Sequence, residues 1–473
     1  MIIIIMIIIM NEELKFYDRE EELEILRDFW REDKAGICVV YGRRGIGKTR
    51  LLVEFSKTVD RHIYISIPEG EWSIIAESIA NQLSLPSYFR FPTFEDFLNY
   101  ILKLAEQKIL IILDEFPRIV DAVPAASSIL QGVWDLKLSR TKVKLVLCGS
   151  SVGMMFKETL SYSAPLYGRV SRIIHLEPLS YMKFRQILAG VPEKRKIELF
   201  AIFGGTPSHF IFIDPKASLE ENVRKILDPT SYLFHEPYLI LSQETRTPER
   251  YLSILLSIAK GKTTLVEIAN YIGIKATSLP QYLRVLEEMD LIRREVPATD
   301  EPWRSKLGRY KISDPFYRFW TIYVFPHRHI IETGSTVELV RRIMDDLPQF
   351  VSPVFEDAMR DIIVRSDIFG TFLRFGAWWD RKGNEIDFVG IKRNEVWIGE
   401  FKWGDVSKND ITKLLQKANL LNIKGEQKLF MISGKTPSPS VQSLADELNV
   451  KILTLEEISR YLDEKQKGET TPA

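Results

Sequence analysis

Two stretches of this sequence hold residues whose types and spacing suit chemistry. The first is GRRGIGKT, Gly42–Thr49, which fits the pattern G-x-x-x-x-G-K-[ST]. It lies between a short apolar run, GICVV, and a helix-like run, RLLVEFSKTV. Its glycines permit backbone angles that turn amide N–H groups toward phosphate oxygens, and the helix N-terminus adds positive potential. Lys48 is spaced to reach the β- and γ-phosphates, and the Thr49 hydroxyl to ligate Mg2+. Gly42, Arg43, Arg44, Gly45, Ile46, Gly47 and Arg50 complete the stretch expected to contact a nucleotide.

A second apolar run, KILIILDE, ends in Asp114 and Glu115. An acidic pair closing a buried strand presents carboxylates at the C-terminal edge of a sheet. Asp114 is expected to hold Mg2+ and Glu115 to orient or activate the attacking water. VKLVLCGSS then ends a third strand, where Ser150 or Ser151 could sense the γ-phosphate or that water. In SAPLYGRV, Arg169 could complete the phosphate site in cis or from a neighbouring subunit, which would make the chain a homo-oligomer.

The other stretch is EIDFVGIKRNEVWIGEFKW, Glu385–Trp403. Asp387, Glu400 and Lys402 lie here in runs that otherwise read as buried strand, where charge is costly unless held. A tight turn at Arg393–Asn394 sets Asp387 opposite Glu400 and Glu385 opposite Lys402, all on one face. Ile386, Phe388, Trp397, Phe401 and Trp403 then fall on the other, apolar face. Facing carboxylates repel unless a cation sits between them, and oxygen ligands suit Mg2+ or Mn2+. Lys402 beside such a metal could orient water or stabilise charge on a phosphate. The bland alternative is a solvated edge of ordinary ion pairs.

Elsewhere the elements must position these residues. ERYLSILLSIAKG, TTLVEIANYIG and KATSLPQYLRVLEEMDLI read as three short helices with glycine stops, followed by a two-strand ribbon within REVPATDEPWRSKLGRYKISD. That order suits a winged helix-turn-helix. Lys275, Thr277, Ser278, Gln281 and Arg284 would face outward, with Arg304, Lys306 and Arg309 on the wing. Whether this module contacts DNA or packs as a regulatory unit stays open. SYFRFPTFEDFLNYIL reads as one helix, DPFYRFWTIYVFPHRH as an aromatic connector, and FEDAMRDIIV as a helix of its own.

Phe16–Leu26 (FYDREEELEIL), LIILDE, CGSS, PLYGR and GGTP at Gly204–Pro207 together resemble the archaeal-type P-loop ATPases of the STAND/AAA+ group. The resemblance implies adenine contacts near Arg19 and Pro207. Asp387 with Glu400–Lys402 resembles the PD-(D/E)XK nuclease-like fold, in which an acid on the first helix, here Glu356, serves many members as a further metal ligand. Ile386 stands where that motif often has proline, and degenerate members bind without cutting. The fold expected is α/β: a P-loop ATPase core with a parallel sheet (11–175), a helical lid (176–244), a winged helix-turn-helix (245–320), a connector (321–344) and a C-terminal restriction-endonuclease-like α/β domain (345–465).

Bulk composition limits the function classes. Formal net charge is zero over 473 residues, so any DNA contact must rest on a local basic patch. Cys38 and Cys148 sit in apolar runs and read as buried thiols of a reducing, cytoplasmic setting. MIIIIMIIIM is too short to span a bilayer, which needs ~20 apolar residues, so no membrane partner is expected. Met6 and Met10 are alternative starts. The expected activity is an ATP-hydrolysing switch or motor, bound to ATP or ADP and Mg2+. It would be coupled to DNA and a Mg2+- or Mn2+-dependent nuclease centre in DNA processing or defence. The alternative is a regulatory STAND-type ATPase whose other modules only bind.

Overall fold

The computed structural model describes residues 19–421 and 423–469. The run MIIIIMIIIM, with Met6 and Met10, and the Phe16–Asp18 start of the D-R-E box lie outside the described residues. The chain divides into two compact units, one up to Glu177 and one from Pro178.

The first unit is built on five parallel strands: β1 (Gly36–Tyr41), β2 (His62–Ser66), β3 (Ile109–Asp114), β4 (Val143–Gly149) and β5 (Val170–His175). Their order is β2-β3-β4-β1-β5. β1, β3 and β4 read as continuous apolar runs because helices cover both sheet faces. Alternate residues of β1 therefore feed two cores, Ile37 and Val39 one, Cys38 and Val40 the other. Cys38 and Cys148 are both buried free thiols. The aromatic stretch expected as one helix is helical only over Phe94–Leu104. Thr93 and Asp96 form a capping box that sets the start, and the prolines at 86 and 92 keep the preceding residues out of the helix.

The second unit has a large apolar core, from Tyr181 through Leu283, Trp320 and Met359 to Leu462, and a separate smaller one around Ile398 and Leu414. Three helices, Pro248–Ala259, Leu265–Ile272 and Pro280–Glu288, precede an antiparallel ribbon of β6 (Ile292–Glu295) and β7 (Arg309–Ile312). A mixed sheet follows: β8 (Arg374–Trp379), β9 (Glu385–Ile391), β10 (Glu395–Lys402), β11 (Glu426–Ser433) and β12 (Val450–Thr454), ordered β12-β11-β10-β9-β8. FEDAMRDIIV is the end of a longer helix, Val337–Arg365, that runs through Pro348 and Pro353 and so crosses the boundary expected at 345. Twelve of its side chains are buried, and that packing outweighs two lost backbone hydrogen bonds.

The ribbon is fixed to this helix by ionic contacts at Asp357. Lys311 Nζ lies 2.7 Å and Arg293 Nη2 3.0 Å from its carboxylate, and Arg360 pairs with it as well. Burial alone would push the Asp357 pKa up, but Arg293, Lys311 and Arg360 together outweigh it and hold it well below the usual range. Removing the carboxylate takes the partner from Lys311 and Arg360, while Arg293 keeps Glu295 at 2.7 Å. Asp357→Asn is expected to destabilise the second unit by about 1.5–3 kcal/mol, the range for hydrogen bonds to charged groups, because Asp357 is half-buried. Chemical denaturation against wild type checks this, and an unchanged midpoint would make the cluster a solvated surface feature.

Candidate functional sites

The Gly42–Thr49 loop joins β1 to the helix Lys48–Ser56. Gly42 has φ 148°, and a side chain there would meet the Leu176 carbonyl at 2.3 Å, so the residue leaving β5 and the loop can pass only at glycine. Gly45 and Gly47 also have positive φ. Lys48 is buried, its Nζ donating to the carbonyls of Gly42 (2.7 Å) and Arg43 (3.0 Å). Thr49 Oγ1 donates to Asp114 Oδ2 at 2.8 Å, and the Tyr64 hydroxyl donates to the same oxygen at 2.5 Å. Burial, and then the Asp114 charge, push the Tyr64 pKa far above the ordinary phenol value, so it remains a donor.

Asp114 Oδ1, by contrast, is buried without a hydrogen-bond partner among the described residues. An orphaned carboxylate oxygen is costly, and beside Thr49 it fits the coordination shell of a divalent cation carried by a nucleotide. Glu115 follows with φ 64°, a left-handed conformation rare outside glycine and costing about 1–2 kcal/mol. Its carboxylate accepts from the Ser150 hydroxyl (2.9 Å) and amide (3.2 Å). Strain of this kind collects at functional sites.

Other expected contacts have different surroundings. Arg19 is buried; it donates to Glu22, to the Glu177 carbonyl at 2.7 Å and to the Ile46 carbonyl at 3.3 Å. It therefore anchors the phosphate loop to the start of helix Glu20–Arg31. Arg169 makes a bidentate pair with Asp135 (2.8 and 2.7 Å) and donates to the Pro165 and Tyr167 carbonyls. Arg50 lies 3.5 Å from Glu54 on its own helix, and Arg44 is exposed. Pro207 opens a short 3-10 turn in the second unit.

In the second unit, β9 and β10 pair as the turn geometry predicts, with Phe388 opposite Gly399 and Ile391 opposite Val396. Toward Asp387 the pattern breaks. Gly376 faces Val389 while Trp378 faces Ile386, so β9 carries an extra residue, a bulge at Asp387–Phe388. The bulge reverses the pleat. Ile386 joins Val389, Val396 and Ile398 rather than sharing the face of Phe388, as alternation had suggested. Glu385 likewise leaves the cluster and pairs with Arg309 at 3.4 Å.

What remains is a carboxylate centre. Glu400 is buried, its Oε1 accepting from Lys417 Nζ at 2.6 Å, with Lys402 Nζ 3.9 Å from Oε2. Lys402 also lies 3.8 Å from Asp410. Asp387 Oδ2 accepts from the Phe401 amide at 2.8 Å. Glu356, on the long helix, faces the same charge: burial first, then Asp387, push its pKa up to about 8. The same two causes push Glu400 up to about 7, against the pull of Lys417 and Lys402. Asp387, Glu400 and Glu356 are not, among the described residues, a trio whose oxygens all lie within 4.8 Å of one another. Lys417 and the Phe401 amide draw two of them toward protein donors.

A five-stranded parallel sheet in this order, with a phosphate loop after β1 and an acidic pair after β3, defines a P-loop ATPase. Residues 16–212 match the family described as an ATPase domain predominantly from Archaea, and 320–414 match archaeal and bacterial proteins of unknown function. The uncharacterized protein MJECL04 of Methanocaldococcus jannaschii is 32% identical over 432 residues, 89% of this chain and 95% of that one. The uncharacterized ATP-binding protein MJ0423 of the same organism is 50% identical over 40 residues, 8% of this chain and 68% of that one. The Walker-type ATPase PABY2304 of Pyrococcus abyssi shares the fold, with TM-score 0.50 and 20% identity over 66% of this chain and 97% of that one. This chain belongs to that archaeal ATPase family, and its first unit is an ATPase. No helix among the described residues is long and apolar enough to cross a membrane.

Sequence reasoning missed Tyr64 and Lys417. Tyr64 ends in a strand like any aromatic, and nothing local marks its hydroxyl as a partner of Asp114. Lys417 could have been found: on helix Lys408–Ala418 it sits one turn beyond Lys413 and beside the inward residues Leu414 and Ala418.

The raised carboxylates give a pH dependence of known sign. Glu356 and Glu400 bind protons more tightly folded than unfolded, where 4.5 is the ordinary value, so their contribution to stability is fully present below that value and is lost as pH rises through about 5 to 8. With divalent ions chelated, the melting temperature of the second unit is expected to fall across that range, and Glu400→Gln to flatten the fall. A rising melting temperature from pH 5 to 8 in both proteins would contradict the charge arrangement.

Proposed function

We propose that ATP binding and hydrolysis in the first unit drive a nucleic-acid-processing second unit, which holds a winged helix and a divalent-metal nuclease centre, in DNA processing or defence. Lys48 and the loop amides would bind the phosphates, while Thr49 and Asp114 Oδ1 would hold the Mg2+ that neutralises phosphate charge. Glu115 would take the proton of the attacking water, oriented by its bonds from Ser150. Arg169 reaches a phosphate only if its pair with Asp135 opens. For a partly exposed pair this costs about 0–1 kcal/mol, so the reading of Arg169 as a cis or trans contact in a homo-oligomer survives its present bonds.

The observation that carries the nuclease half is the set of half-buried and buried carboxylates, Glu356 and Glu400, raised by burial and then by the charge of Asp387, with Lys402 3.9 Å from Glu400. Carboxylates that repel one another at a strand bulge are stabilised by a shared divalent cation. Such a cation, Mg2+ or Mn2+, would supply charge stabilisation for a scissile phosphate. Asp387, Glu400 and Glu356 would hold it, and Lys402 would orient water or steady the phosphate oxygens. The winged-helix reading rests on the three helices and ribbon, with Lys275, Thr277, Ser278 and Gln281 at the start of the third helix; Arg284 is paired with Glu288 at 2.8 Å. One observation favours a binding-only second unit: Lys417 already neutralises Glu400.

Three substitutions separate these readings. Lys48→Ala is expected to weaken ATP binding at least tenfold, read by nucleotide titration. Glu115→Gln should keep ATP binding and lose about 10²–10⁴-fold in turnover; normal hydrolysis would remove Glu115 from its role. Wild-type protein with Mn2+ or Mg2+ is expected to cut DNA and Asp387→Ala to abolish cutting. No cutting by wild type, with or without ATP, leaves the regulatory, binding-only unit.

A further inference from the structure

The ribbon loop, residues 296–308, is not a free wing. Ala298 N–H donates to the Ala377 carbonyl at 2.8 Å, which docks the loop on the outer edge of β8. Trp379 Nε1 donates to the Leu307 carbonyl at 2.9 Å, and Arg374 bonds the Asp300 carbonyl. Beneath it Arg294 donates to the carbonyls of Pro302 (3.0 Å) and Ser305 (2.9 Å), and a side chain at Gly308 would strike that guanidinium at 2.5 Å. The loop is thus held from both sides.

What it presents to solvent is unusual for a fixed loop. Trp303 at its tip is 77% exposed; Leu373, just before β8, is 79% and Phe375 on β8 is 48% exposed. Arg304 and Lys306 on the loop, and Arg381 and Lys382 in the β8–β9 turn, are exposed, and of these Lys382 faces the charge of Asp380. Of the acids nearby, Glu301 lies 3.4 Å from Arg374, while Asp300 accepts the Ser305 hydroxyl and Asp380 the Lys382 amide and the Asn384 side chain, so the loop bonds hold both in place. Exposed cations interleaved with exposed aromatics are the composition of a single-strand nucleic-acid platform, phosphates meeting the cations and bases stacking on the rings. Arg309 lies over the Trp379 ring at 4.7 Å and pairs with Glu385 at the start of β9, the strand that carries Asp387.

We infer that Trp303, with Phe375 and the cations Arg304, Lys306, Arg381 and Lys382, forms a rim that binds an unpaired nucleic-acid strand and leads it to the Asp387 centre. Trp303 stacks on a base, and the cations follow the backbone. This rests on the nucleic-acid reading above and narrows it to single-stranded segments or frayed ends. A duplex keeps its bases stacked on one another and offers Trp303 only phosphates.

The test is fluorescence anisotropy of the full-length protein with an end-labelled single strand and a blunt duplex of the same sequence, in EDTA so that neither is cut. Trp303→Ala is expected to weaken single-strand binding about tenfold and duplex binding less than twofold, and Trp303→Phe to retain most of the affinity. Arg304→Glu with Lys306→Glu should weaken both and flatten the salt dependence. Wild type that binds the single strand while Trp303→Ala binds it equally well overturns the rim alone. Equal losses on both substrates also overturn it. Wild type that binds neither, or that binds only phosphatidylserine vesicles, overturns the rim together with the nucleic-acid reading.

Discussion

A carboxylate withdrawn from water must be neutralised, surrounded by donors or protonated, and the placement of nearly every chemical group in this protein follows from that constraint. Asp357 takes the first course, with Arg293, Lys311 and Arg360 around it. Asp387 takes the second, accepting the Phe401 amide. Glu356 and Glu400 are pushed toward the third. Asp114 satisfies one oxygen through Thr49 and Tyr64 and leaves the other unbonded, so the nucleotide site retains an unmet demand of this kind at its centre.

Both sites also depart from ideal backbone at the residue that matters. β3 ends and the next residue, Glu115, is forced into the left-handed region; β9 bulges at Asp387. A regular strand would alternate these carboxylates with apolar neighbours into the sheet faces. The irregularities instead turn them out at a strand end, where a ligand can approach. Ser150 on the strand-end after β4 and Phe401 on β10 then fix the displaced groups. Local rules fail where chemistry is placed, and regular elements surround the failure.

That explains what could be read from sequence. The phosphate loop, the strand ending in Asp114 and the β9–β10 turn were legible, because glycine spacing, apolar runs and turn length each have a local physical cause. Phe388 opposite Gly399 follows directly from the turn. The bulge was not legible: Ile-Asp-Phe are ordinary strand residues, and the extra residue shows only against β8. The helix Val337–Arg365 was hidden for another reason. Its prolines argue locally for breaks, and the burial that overrides them comes from partners distant in sequence, such as Trp403 against Phe355. Lys417 and Tyr64 needed tertiary proximity.

The most consequential of these unseen residues is Lys417, because it and a divalent cation would compete for the same carboxylate. Glu400 Oε1 accepts Lys417 at 2.6 Å, and its raised pKa persists despite that bond. A cation entering between Asp387 and Glu400 would have to displace either a proton or the Lys417 ammonium. If Lys417 is displaced, it is freed beside Lys402 within reach of the same centre, and two ammonium groups then face a phosphate. If Lys417 stays, Glu400 remains a structural anion, and the bulge presents Asp387 to a bound strand without a second carboxylate ligand. Under the proposed nuclease reading, cutting and binding without cutting would be two occupancies of one oxygen, and the helix that carries Lys417 would decide between them.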